Sequence, residues 1–370
     1  MKIFFPVEIL YPSQAGGAAN SVYWLAKTIS NAGFETRIVA TNKGITDQVD
    51  LDRWLRTDAG EVIFIRTWSV HVPFSQVLTS LRQFRRADVV HLSSIFYPAA
   101  FITGLAAKLL RKKIAWSPRG ELADVALNHS AARKRPILWS VRKLIGSYAV
   151  FHSTSDEETE AIRKVFGPRA TIRKIPNYVE LEPQVNRREG NYLLFIGRMH
   201  PQKALDNLIK ALPLSKRFAS SNFVLKIAGR ERSHNVRPLK ALVSDLGLDD
   251  RVEFVGQVEG NEKLQLLADA RVTLLPSHAE NFGVVVVESL AQGTPVIASR
   301  YTPWESLETE RTGLWPDNSP EELAKAIDRF ISMDAEEYSG YRLRSRAFAE
   351  REFDIRNHTE EWTAFYDLLR

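Results

Sequence analysis

Cysteine is absent from this 370-residue chain. That one absence excludes disulfides, thiolate metal sites and a cysteine nucleophile. A long uninterrupted apolar run is missing too. The stretch nearest to membrane-spanning length, 89–110, is broken by His91, Ser93, Ser94, Pro98 and Lys108, so it reads as a buried strand followed by a helix. No HExxH, EF-hand loop, GK[ST] phosphate loop or GxSxG elbow occurs, and a DxD triplet of the usual metal–sugar type is not expected. The eight histidines are scattered; His91, His129 and His278 fall near expected loop mouths, and a structural role suits each. No segment repeats at 20–50 residues, which excludes a solenoid.

What is present describes a folded α/β protein. Hydrophobic residues make up 44% and charged residues 25%, close to globular averages and far from disordered or fibrous compositions. The length suffices for two ordinary domains. Charge is uneven along the chain: residues 1–180 carry 25 Lys/Arg against 15 Asp/Glu, and the remainder carries 25 against 29. Within 108–143, ten basic residues face only Glu121 and Asp124. Such a cluster suits an anionic lipid surface, a phosphorylated substrate or nucleic acid, and ordinary solvated helix faces suit it equally. The start of the chain has no extended apolar region with a small-residue cleavage site, so the expectation is a cytoplasmic protein.

Short apolar, non-alternating runs predict buried parallel strands over 2–5, 36–40, 62–65, 88–92, 113–116 and 149–152. Helical patterns fill the gaps, among them 18–32, 99–110 and 136–146. After a polar stretch at 180–191, a second series predicts strands over 192–196, 223–228, 252–255, 272–275 and 295–298. Its helices fall at 204–212, 236–246, 261–268, 282–292 and 320–333. The expectation is therefore two Rossmann-like parallel-sheet domains facing across a cleft, spanning 1–185 and 186–350, with a helix over 351–370 packing back on the first domain through Trp362 and Phe365.

Three loops following strands carry candidate chemistry. Gly16 and Gly17 lie after the first strand and open a helix, where backbone can approach an anion; a plain structural turn fits them as well. Gly197-Arg198 and Lys203 place two cations after a strand and before a helix, able to neutralise a departing diphosphate, although surface charges of no special role would look alike. Glu280 stands in the loop after the 272–275 strand, and Glu288 follows eight residues later on a helix that begins with four valines. Valine is a poor helix former, so burial must hold that helix.

Taken together, Gly16-Gly17, Asn177 in Ile175-Pro176-Asn177, Gly197-Arg198 with Lys203, Glu280 with Glu288 and the run Ala291-Gln292-Gly293-Thr294-Pro295 resemble glycosyltransferase family 4. The resemblance covers nearly the whole chain and is stronger in its second half. It implies a GT-B fold and a retaining, metal-independent transferase that uses a nucleotide diphosphate sugar as donor substrate and no separate cofactor. Arg198 and Lys203 would hold the diphosphate, with Gly17 approaching it from the first domain. Glu280 would face the sugar, and backbone N–H groups of Asn281, Phe282 and Gly283 would support sugar and phosphate. Glu288 would bind the ribose, and the base would lie near Gly229-Arg230 and Gly256-Gln257-Val258. Where relatives commonly place a histidine before a first-domain glycine, this chain has Arg119 in Ser117-Pro118-Arg119-Gly120, so a cation replaces an imidazole at a catalytic position. The implied reaction moves a UDP- or GDP-linked sugar to a glycan or lipid-linked acceptor, as in cell-envelope or exopolysaccharide synthesis, peripherally at the inner face of the membrane. A GT-B nucleotide-sugar epimerase is the alternative, and turnover without acceptor would distinguish it. A nucleic-acid binder finds no recognisable module here, and intact Arg198, Lys203 and Glu280 speak against a non-catalytic sensor.

Overall fold

A computed structural model of the chain describes residues 1–370 apart from 14–16, 46–48, 68–72, 124–126, 128–130 and 230–232. The chain divides into two units, Met1–Glu180 together with Ile355–Arg370, and Leu181–Asp354. The polar segment after Glu180 belongs to the second unit: Val185 N–H donates to Gln292 Oε1 at 3.0 Å, and Arg188 N–H to Asp269 Oδ1 at 2.5 Å.

The first unit is built on β1 (Lys2–Pro6), β2 (Glu35–Thr41), β3 (Trp54–Thr57), β4 (Gly60–Ile65), β5 (Val89–Ser93), β6 (Lys113–Ser117), β7 (Val150–Ser153) and β8 (Thr171–Lys174), in sheet order β3-β4-β2-β1-β5-β6-β7-β8. All neighbours are parallel except β3, which hairpins onto β4. β1 and β5 are apolar on both faces because helices cover both: Ile3, Phe4, Phe5, Val89, Val90 and Leu92 are buried. The exposed edge strands β3 and β8 lack that signal, and the sequence pattern does not find them.

A helix expected at 136–146 instead spans Ala131–Val141, with Pro136 inside it, and passes into a wider turn at Arg142–Gly146. Proline supplies no N–H, so the helical donor to the carbonyl four residues earlier is missing. Ser140 Oγ donates to Pro136 O at 2.9 Å, and Lys108 Nζ donates to Leu144 O at 2.5 Å.

The second unit is a six-stranded parallel sheet of β9 (Tyr192–Ile196), β10 (Val224–Ala228), β11 (Val252–Gly256), β12 (Val272–Leu275), β13 (Val296–Ala298) and β14 (Gly313–Leu314), in order β11-β10-β9-β12-β13-β14. Its core gathers Leu193, Phe195, Ile227, Leu274 and Phe330. Both units are thus Rossmann-like α/β layers, the fold class the sequence implies.

Ile355–Arg370 returns to the first unit, where Trp362, Phe365 and Tyr366 are buried among Phe5, Val22 and Leu25. Tyr366 also ends a buried hydrogen-bonded chain through His91, Ser117 and His152 to the Ile175 carbonyl, with steps of 2.6, 2.7, 2.8 and 2.8 Å. The carbonyl can only accept, so His152 Nε2 carries its proton and Nδ1 accepts from the Ser117 hydroxyl. Ser117 Oγ then accepts from His91 Nε2–H, and His91 Nδ1 accepts from the Tyr366 hydroxyl. Every member is satisfied with both imidazoles neutral. Burial enforces the same state, pushing His91 well below the ordinary histidine value and His152 down to about 4.

A histidine with a depressed folded pKa stabilises fully above its unfolded value of about 6.5 and loses that contribution as pH falls towards the folded value. Urea titrations should therefore show wild-type stability dropping between about pH 6.5 and 4 more steeply than in a His91→Gln/His152→Gln variant, which starts lower at pH 7.5. Parallel pH profiles would refute the neutral assignment.

Candidate active site

In the second sheet β9 lies beside β12, and the chain leaves these neighbours towards opposite edges. Loops at such a reversal part beyond the strands' carboxyl ends and leave room for a ligand. The two loops at this point are 197–203 and 276–283, the segments carrying the cations and the first glutamate.

After β9 the backbone must pass very close to the next strand end. A Cβ on Gly229 (φ +144°) would sit 1.9 Å from the Gly197 carbonyl oxygen, so only glycine fits there. Arg198 follows, exposed and without a hydrogen-bonded or ionic partner among the described residues. His200 then caps a short turn, Pro201–Lys203, by accepting from Gln202 N–H, and Ala204 adopts a left-handed conformation before the helix Leu205–Ala211. This turn is stitched to the β12 loop: His278 N–H donates to Gln202 O at 2.8 Å, and Gln202 Nε2 donates to Ala279 O at 3.0 Å. The stitch brings Lys203 Nζ onto Glu280 Oε2 as an ion pair, with the two side chains only 16% and 18% exposed.

The helix Val284–Ala291 starts immediately beyond. Val286, Val287, Leu290 and Ala291 are buried, which is how a valine-rich segment stays helical. Its N-cap, Gly283, has φ +78°, and a Cβ there would press on Leu275 Cδ2 at 2.8 Å and Glu280 Cγ at 3.2 Å. Glycine thereby lets the Glu280 stem lie against the helix entrance. Trp304 Nε1 donates to Phe282 O and their rings pack 5.3 Å apart, fixing the loop from behind. The N–H groups of Asn281, Phe282 and Gly283 have no acceptor among the described residues. An open helix amino end beside Lys203 and Arg198 can hold an anion.

Glu288 sits one to two turns along this helix, and its Oε1 pairs with Lys263 Nζ at 2.7 Å. Lys263 lies on the helix Gly260–Asp269, and sequence reasoning missed it because nothing local links positions 25 residues apart. Val258 is buried at the start of that segment, so it can line the site only through its backbone. Arg230 and Gly16 lie outside the described residues.

The remaining expected residues belong to the first unit. Gly17 begins the helix Gly17–Asn31. Arg119, partly buried with φ +54°, donates through Nε to Ser93 Oγ at 2.8 Å, and burial lowers its guanidinium pKa. Asp50-Leu51-Asp52 spells DxD, but its carboxylates are engaged locally: Asp52 Oδ1 accepts from Arg66 N–H at 3.1 Å, and Asp50 lies 3.7 Å from Arg53. No group of three or more His, Asp and Glu able to hold a metal occurs among the described residues.

Comparison with known proteins bears on the family and the fold. The family model described as "Glycosyl transferases group 1" matches residues 180–347, and the "Glycosyl transferase 4-like domain" model matches 16–178. The GDP-mannose:cellobiosyl-diphosphopolyprenol alpha-mannosyltransferase of Xanthomonas campestris is 29% identical over 61% of this chain and 59% of its own length. The D-inositol 3-phosphate glycosyltransferase of Acidothermus cellulolyticus is 33% identical over 39% of this chain and 34% of its own. The matches thus span between a third and three-fifths of these relatives. Among solved structures, sucrose-phosphate synthase from Thermosynechococcus elongatus superposes with a TM-score of 0.78 at 22% identity, covering 100% of this chain and 99% of that one. Anabaena Alr3699/HepE, solved with UDP and glucose, gives 0.78 at 18% identity with the same coverage. The sequence motifs, the fold of each unit and the two family models converge: the chain belongs to the group 1, family 4-like glycosyl transferases, with GT-B relatives.

Proposed function

We propose that the protein is a retaining glycosyltransferase that moves a sugar from a UDP- or GDP-linked donor to a glycan or lipid-linked acceptor in envelope or exopolysaccharide synthesis. The observation that carries this reading is the Lys203–Glu280 pair beside an unpaired helix amino end, with Arg198 on the same loop. Cleaving an anomeric C–O bond to diphosphate builds positive charge on the sugar and negative charge on phosphate. Lys203, Arg198 and the N–H groups of Asn281, Phe282 and Gly283 meet the second charge; one such preorganised donor contributes roughly 3–4 kcal/mol. A diphosphate replaces Glu280 as partner of Lys203 and frees the carboxylate for sugar hydroxyls. Cations and N–H groups then do what a metal does elsewhere. Attack from the leaving-group face, with the departing phosphate taking the acceptor proton, gives retention without a covalent glycosyl-enzyme.

The name of the Xanthomonas relative specifies a diphosphopolyprenol-linked acceptor, and the WaaG neighbour (TM-score 0.67, 17% identity) is described as involved in lipopolysaccharide biosynthesis. Both support an acceptor carried on lipid. No described helix is long and apolar enough to cross a membrane. The basic 108–143 region does, however, expose Leu109, Leu110 and Trp139 among its cations, with Leu144 beside it. Cations attract anionic headgroups and exposed apolar side chains enter the interface.

Three outcomes test the proposal. Arg198→Ala and Lys203→Ala should each lower kcat roughly tenfold or more with circular dichroism unchanged, and Glu280→Gln should lower kcat with a modest KM change. Glu288→Gln and Lys263→Ala should both mainly raise donor KM, because ribose contacts do not strengthen in the transition state. The reverse pattern would exchange the roles of the two glutamates, and turnover without acceptor would favour the epimerase. Activity should survive saturating EDTA; loss restored by Mn²⁺ or Mg²⁺ would contradict the leaving-group argument. In flotation, anionic vesicles should carry the protein at low salt and partly release it at high salt, with Trp139→Ala reducing what remains, whereas no binding at either salt would remove the membrane role.

A further inference from the structure

Arg119 stands on an unusual support. Residues 118–121 form a tight turn closed by Glu121 N–H to Pro118 O at 3.3 Å, with both central residues at positive φ, Arg119 at +54° and Gly120 at +79°. Turns of this sign pattern favour Asn-Gly. A long side chain at the first central position is strained there and persists only where its surroundings hold it. Two glutamates do so. Glu121 accepts from Ser94 Oγ at 2.7 Å and Ile95 N–H at 2.6 Å, anchoring the far end of the turn to the loop after β5. Glu158 Oε1 accepts from Gly120 N–H at 2.6 Å, inside the turn itself.

Glu158 is the more telling of the two. It is the third residue of the helix Asp156–Phe166, whose N-cap is Ser155: Ser155 Oγ accepts from Glu158 N–H at 3.2 Å. In a capping box the glutamate turns back to the helix entrance. Here one oxygen, Oε2, takes that duty through Thr154 N–H and Oγ1, both at 2.7 Å. The other oxygen leaves the helix for the Arg119 turn. The carboxylate is 5% exposed, and its charge acts on Arg119 against the burial that lowers the guanidinium pKa. With Nε committed to Ser93, the two terminal guanidinium nitrogens have no partner among the described residues.

We propose that Glu158 is the positioning residue for Arg119: its carboxylate locks the 118–121 turn so that the free edge of the guanidinium is held as a fixed fork for an anionic group of the substrate. The inference rests on the transferase reading for what the fork does, but not for how the fork is held. Loss of Glu158 frees Arg119 to leave the left-handed conformation, and turnover falls because Arg119 is misplaced.

The test compares Glu158→Gln, Arg119→Ala, their combination and Ser155→Ala, which removes the helix cap without touching the turn. The first readout needs no activity: hydrogen exchange of the Arg119 Nε–H, its NMR signal identified by its absence in Arg119→Lys. Exchange should quicken about tenfold in Glu158→Gln and stay within about twofold in Ser155→Ala. In the second readout, Glu158→Gln should lower kcat several-fold with donor KM unchanged, and the double variant should turn over like Arg119→Ala alone, since residues acting through one another are not additive. Equal exchange in Glu158→Gln and wild type, equal effects of Ser155→Ala and Glu158→Gln, or additive losses in the double variant would each overturn the proposal. An inactive wild type would instead defeat the transferase reading, with the exchange measurement still deciding whether Glu158 holds the turn.

Discussion

The pairing of β9 with β12 is the constraint on which the second unit depends. Two parallel neighbours whose connections run to opposite edges cannot close over their own carboxyl ends. The loops that emerge there must satisfy their backbone groups by turning sharply or by binding each other. Gly197, Gly229 and Gly283 make the turns, and Gln202 binds the β12 loop through its backbone and side chain. Lys203 and Glu280 inherit their proximity from that stitching, so their ion pair is a consequence of sheet order and not an independent feature.

The pair has a cost that helps explain its use. Charges nearly withdrawn from water are poor net stabilisers, because desolvation offsets their attraction, yet removing one partner strands the other at about 3–5 kcal/mol when burial is complete. A site of the kind proposed, taking up a diphosphate, would benefit from a cation already stripped of most of its water. Glu280 holds Lys203 in place, and an incoming anion would exchange one partner for another without fresh desolvation of the lysine. Lys263 and Glu288 repeat the arrangement one helix away at 26% and 20% exposure.

How much of this was legible in the sequence follows from the range of each interaction. Strands buried on both faces announce themselves as short apolar runs, and strand–glycine–cation–helix order is local, so β9, β12 and their loops could be read directly. Glu280 and Glu288 were legible through a spacing within one loop and helix. What the sequence hid is long-range. The Lys263–Glu288 pair spans 25 positions, Gly120–Glu158 spans 38, and His91–Tyr366 spans 275, and no periodicity encodes such separations. Edge strands were hidden for another reason: β3 and β8 are short and mostly exposed, so burial leaves no mark on their composition. Pro136 misled in the opposite direction, since its usual place at a helix start concealed the turn that precedes it.

The two units solve the same electrostatic problem differently. At its candidate site the second pairs two largely buried lysines with glutamates, Lys203 with Glu280 and Lys263 with Glu288. The first sets Arg119 within electrostatic reach of an uncharged hydrogen-bonded chain, Tyr366–His91–Ser117–His152, with Glu158 as a counter-charge. Cation and chain reinforce each other: Arg119 disfavours a proton on either imidazole, and neutral imidazoles add no like charge near a half-buried cation. Because the fourth member of the chain is Tyr366, the chain is complete only when Ile355–Arg370 has returned to the first unit. The helix Thr359–Asp367 is therefore part of the electrostatic setting of Arg119 as well as of the hydrophobic core.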